Sequence, residues 1–84
     1  MKDFMLVLSC PHGNIFENKA RSLILRGERG DLAVMPGHIP FVTTVKPGKF
    51  KILTSEGEEI NGVSSGGLLS VSNDRVVFLA GEME

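Results

Sequence analysis

The chain has no tryptophan and no tyrosine, and five phenylalanines are its only aromatic residues. With so little ring surface, the core of this 84-residue protein must be built from aliphatic side chains. The aromatic platform on which single-stranded nucleic acids stack is missing too. Nor is there an excess of positive charge: nine Lys and Arg stand against ten Asp and Glu, a net charge of −1. Binding a phosphate backbone needs clustered cations, so nucleic acid is not an expected partner. Lys46, Lys49 and Lys51 come closest to a cluster, and strand alternation puts Lys49 and Lys51 together on one solvated face.

Cysteine is nearly absent. Cys10 stands alone, so no intrachain disulfide can form and a reducing compartment is expected. Asp3 and the Ser9-Cys10-Pro11 run interrupt the N-terminus before a signal-peptide core can develop. No apolar stretch approaches the ~20 residues of a membrane span. The expectation is a soluble cytoplasmic protein that reaches membranes only through partners, without inserting.

Catalytic and metal-binding patterns are equally thin. Ser64, Ser65 and Cys10 are potential nucleophiles and His12 and His38 potential bases, yet no Gly-x-Ser-x-Gly elbow surrounds the serines. Cys10 beside His12 reads as an ordinary loop thiol. One Cys and two separated His do not make a zinc site, and no phosphate-binding Gly-x-x-x-x-Gly-Lys motif occurs. No enzyme, cofactor or metal is expected.

What is present is short apolar runs recurring about every ten residues between turn signals, the pattern of an all-β sandwich or barrel. Strands are expected at Phe4 to Leu8, Ile15 to Glu17, Ser22 to Arg26, Leu32 to Met35 and Phe41 to Val45. Others follow at Lys49 to Thr54, Glu59 to Ser64, Leu68 to Ser72 and Arg75 to Ala80. The last of these is continuously apolar and reads as buried on both faces. Gly62, Gly66 and Gly67 suggest a bulge or close approach of another backbone. Residues 81–84 read as a frayed end. The prediction is one domain, 1–84: a small sandwich of about eight to ten short, mostly antiparallel strands.

One segment stands out. From Gly30 to Gly48 the sequence reads Gly-Asp-Leu-Ala-Val-Met-Pro-Gly-His-Ile-Pro-Phe-Val-Thr-Thr-Val-Lys-Pro-Gly. Its three prolines exclude a continuous helix, and its apolar content exceeds that of a solvated loop. A rigid, turn-rich, apolar segment of this kind presents a surface to a partner.

Asp31, Leu32, Val34, Pro36, Gly37, His38, Pro40, Lys46, Pro47 and Gly48 also match a known signature. The pattern resembles that of the epsilon subunit of bacterial-type rotary ATP synthases, and the runs Ser65 to Val71 and Asn73 to Ala80 fit as well. The resemblance implies a β-sandwich and a non-catalytic central-stalk role. Such a subunit joins gamma to the c-ring at the cytoplasmic face of the inner membrane and couples ion flow to ATP synthesis. Most members continue into a C-terminal helical hairpin; this chain stops at residue 84, so hairpin inhibition and ATP sensing do not carry over to these residues.

Residue by residue, the resemblance places Arg29 and Asp31 against the c-ring. It places His38, Ile39, Pro40, Val42 and Thr43 against gamma, with Cys10 near by. Two of these carry plainer readings from the residues alone. His38 suits a backbone-bonded turn histidine, and Asp31 a turn residue after Gly30. A free-standing sandwich that binds a peptide or small ligand is the alternative function, and it calls for a concave pocket.

Overall fold

The computed structural model describes residues 3–27, 30–37, 39–73 and 75–83. Eight strands form: β1 (Phe4–Cys10), β2 (Gly13–Gly27), β3 (Gly30–Val34), β4 (Phe41–Val45), β5 (Gly48–Thr54), β6 (Glu59–Ser64), β7 (Gly67–Val71) and β8 (Arg75–Ala80). Hydrogen bonding runs through them in the order β4-β7-β8-β1-β2-β5-β6, with β3 also on β2. All pairings are antiparallel except that of β1 with β8. No helix long and apolar enough to cross a membrane occurs among the described residues.

The long β2 makes one sheet into two layers. Its first half pairs with β1 from Gly13 to Ala20. Beyond a register shift between Ala20 and Ser22, it pairs with β5 on one edge and β3 on the other. Such an irregularity bends a strand and raises its twist, which lets β2 leave one layer and enter the other. One layer is therefore β4-β7-β8-β1 with the start of β2, and the other is β3, the end of β2, β5 and β6.

Two-residue alternation supplies the core. Leu6 and Leu8, Leu23 and Leu25, Leu69 and Val71, and Val76, Phe78 and Ala80 all point inward and pack in one cluster with Val34, Val45, Phe50 and Ile52. Burying one such side chain contributes about 1.5–3 kcal/mol. The buried polar side chains are bonded. Thr54 Oγ1 accepts from the Glu58 N–H at 3.0 Å, and Ser64 Oγ from the Gly66 N–H at 3.3 Å.

Three local expectations need correction. The strands expected at Ile15 to Glu17 and Ser22 to Arg26 are one strand, because Asn18 and Lys19 between them, although exposed and polar, are held by the backbone ladder to β1. β8 is not buried on both faces: Leu79 remains 47% exposed between buried Phe78 and Ala80. The end of the chain is tied down through residue 83. Ser65 and Glu82 exchange two hydrogen bonds of 3.0 Å, one through Ser65 Oγ, and Met83 bridges to Ser64 and packs on the core.

The expected close backbone approach is real at Gly67. A Cβ there would run into the Leu79 carbonyl oxygen and lie 2.9 Å from the Ala80 Cα. Only glycine lets β7 and β8 meet at this point.

Candidate docking surface

β3 belongs to one layer and β4 to the other, so residues 35–40 cross between layers at one end of the sandwich. Two buried valines fix the crossing: Val34 is fully buried before it and Val45 nearly so after it. Between them, Pro36 and Gly37 turn the chain, Gly37 with φ at +87°, a value that glycine adopts without strain. The crossing exposes Met35 (51%), Ile39 (82%) and Val42 (63%). The segment is thus neither a solvated loop nor part of the core; its ends are anchored and its apolar middle faces water.

Four of the eight residues singled out from sequence are placed here. Ile39, Pro40 and Val42 are exposed, and Thr43 is half-buried. Strand alternation turns Val42 outward and Thr43 toward the side of Phe41 and Val45. Asp31 lies in β3, exposed and in register with Arg26, and not in a turn. Arg29 and His38 lie outside the described residues.

Cys10 is set apart from the others. It ends β1, where its thiol donates to the Gly13 carbonyl at 3.4 Å. The ladder places it level with Ala80, Gly67 and Val45, three strands away from β4 and at the opposite end from Ile39 and Pro40. The Ser65 hydroxyl is engaged by the Glu82 N–H. Among the described residues, no three His, Cys, Asp or Glu side chains gather as a metal site would require.

Sequence reasoning missed the outer face of the β4-β7-β8-β1 layer. Val42 and Thr44 on β4 lie beside Ser70 and Leu68 on β7, then Val77 and Leu79 on β8, then Val7 and Ser9 on β1. These eight side chains carry no charge. Leu68 is 41% exposed and Leu79 47%, whereas Val7 is covered by its neighbours yet stands outside the core cluster. The signal was legible: in Gly67–Val71 and Arg75–Ala80 both alternation phases are largely apolar, and only one can face a core.

A solvent-facing sheet surface ordinarily alternates to polar side chains. This one joins the apolar crossing at Val42. The β-sandwich domain of the ATP synthase delta/epsilon chain matches residues 3–84 as a family. The chain belongs to that family.

The ATP synthase epsilon chain of Bordetella petrii is 39% identical over 66 residues, 79% of this chain and 47% of the relative. That of Xylella fastidiosa is 41% identical over the same length and coverage. The chain thus spans about half the length of the curated relatives it matches. A chain of the Euglena gracilis mitochondrial ATP synthase, solved with OSCP, F1 and c-ring, superposes with a TM-score of 0.91 over 98% of this chain and 52% of its own, at 23% identity. A chain of the Tetrahymena thermophila central stalk and c-ring gives 0.85 over 99% and 66%, at 13% identity. At these identities the two likenesses speak for the fold.

Proposed function

We propose that the chain serves as a non-catalytic rotor component, holding the gamma subunit of a rotary ATP synthase to its c-ring on the cytoplasmic side of the inner membrane. Family membership supplies the setting. The observation that carries the reading is the crossing at residues 35–40, pinned by Val34 and Val45 while presenting Ile39 and Val42. Torque transmission asks for stiffness, and a close-packed two-layer core deforms little under load.

Gamma docks on Ile39, Pro40 and Val42 and on the uncharged outer face that continues from them. Thr43 and His38 belong to this contact, and Cys10 touches gamma only where the partner reaches across the layer. The c-ring contact falls to Asp31, exposed on β3, and to Arg29. Two interfaces of about 800 Å² each would cover about a third of the 5239 Å² surface. That share accounts for a small domain with both an apolar and a charged outer face. An exposed pair at Asp31 adds only about 0.2–1 kcal/mol, so it sets register more than affinity.

The test is co-purification. The wild-type chain is expected to retain gamma, and Asp31→Lys to keep both fold and gamma while losing ring assembly. If complexes carrying Asp31→Lys assemble and pump normally, the ring-side role of Asp31 is refuted.

A further inference from the structure

The other outer face differs in kind. Arg26 on β2 and Lys49 and Lys51 on β5 line an open groove of about 580 Å³, with Asp31 on the β3 side and Asn61 on β6. Lys46 stands next to Arg26 on a second groove, and its N–H donates to the Arg26 carbonyl at 2.9 Å. All four cations are exposed. Gly48 leaves room for Arg26: a Cβ at Gly48 would lie 3.4 Å from the Arg26 Cβ and 3.6 Å from its Nε. The arginine therefore lies across β5 beside Lys49.

Against these four stand, among the described residues, two carboxylates, Asp31 and Glu59. Lys51 Nζ meets Glu59 Oε2 at 3.8 Å, half-exposed, and no ion pair joins Asp31 to Arg26 among the described residues. A chain with net charge −1 thus concentrates positive charge on one sheet face.

We propose that this face is a contact for anionic phospholipid headgroups, held by Arg26, Lys46, Lys49 and Lys51. The choice of lipid rests on the proposed function: Asp31 shares the groove with Arg26 and Lys49, so if Asp31 meets the c-ring, the groove opens beside the membrane in which the ring sits. A bilayer surface carrying phosphatidylglycerol attracts each nearby Lys or Arg by enough to change binding about fivefold. The contact orients the domain about the ring and adds to the protein–protein interfaces without replacing them.

The measurement is sedimentation of the full chain with vesicles of phosphatidylglycerol and phosphatidylcholine mixed one part to three, and with phosphatidylcholine alone. The wild type is expected to bind the mixed vesicles and not the neutral ones, and to release as salt rises and the Debye length falls from about 30 to about 3 Å. The triple variant Arg26→Gln, Lys49→Gln, Lys51→Gln is expected to lose about 100-fold. A control with equal charge change per residue on the other layer, Lys19→Gln with Arg75→Gln, keeps binding. Thermal melting checks that each variant folds.

Equal binding by wild type and triple variant, or no preference for anionic vesicles, overturns the proposal. Capture of a hepta-glutamate peptide without vesicle binding also overturns it, and assigns the face to an acidic protein segment. The triple variant is expected to co-purify with gamma as the wild type does. Loss of gamma by the wild type counts against the rotor role and is read separately from the vesicle result.

Discussion

Phe78 and Leu79 are adjacent in β8, similar in hydropathy, and opposite in consequence. Phe78 is fully buried between the layers and Leu79 is 47% exposed on the outer face. Replacing Phe78 by alanine removes its transfer energy and leaves a cavity, a loss of about 3–5 kcal/mol. A domain this size has about 4–13 kcal/mol of stability in all, so the variant retains a small fraction or unfolds. Leu79→Ala removes only the buried half of its side chain, about 1 kcal/mol. Each kcal/mol moves the melting temperature of a domain of this size by about 4–8 °C. Thermal unfolding followed by circular dichroism should therefore separate the two by more than about 10 °C. Gamma co-purification should fall for Leu79→Ala although the domain stays folded. Equal losses of stability at the two positions would refute the face assignment of β8, and with it the outer-face docking surface.

Gly67→Val forces a side chain into the Leu79 carbonyl and is expected to cost at least about 1–3 kcal/mol, read as a lowered urea midpoint with unchanged slope. Val42→Asp puts a charge where the uncharged face meets the crossing. It should leave the melting temperature within a few degrees and weaken gamma binding more than about tenfold, as hot-spot losses do. A normal pull-down with Val42→Asp would remove β4 from the interface.

Much of the fold was legible because sandwich strands write their burial into alternation. Phe50 and Ile52 are buried between exposed Lys49 and Lys51, as the sequence reads. The turns at Pro36-Gly37 and around Gly57 are equally plain. Ile15 to Glu17 was legible as strand, but its continuation through Asn18 and Lys19 into Ser22 to Arg26 was not, because the ladder with β1 that carries it is a backbone matter. Nor was the anchoring of Glu82 and Met83, which depends on Ser64 and Ser65 arriving from a distant hairpin.

At the candidate site, the motif from Gly30 to Gly48 located the crossing itself. The outer face of Val42, Leu68 and Leu79 comes from three strands, two of them outside the motif, and only the register assembles it. Apolar residues in both phases of β8 were read as double burial. The rule holds for sheets covered on both faces, and here Leu79 and its neighbour Leu68 stay exposed on the second face.

The parallel pairing of β1 with β8 reaches beyond architecture, since Leu6 finds Val76 and Leu8 finds Phe78 only once the sequence through Leu79 is present. During synthesis the first strand must wait, one edge unclaimed, until residue 80 has left the ribosome. Closure of so long a loop belongs to the slow class of folding reactions, milliseconds to seconds. A nascent chain halted before Arg75 lacks the strand that joins β7 and β4 to β1, so its unpaired edges make it a substrate for chaperones or proteases.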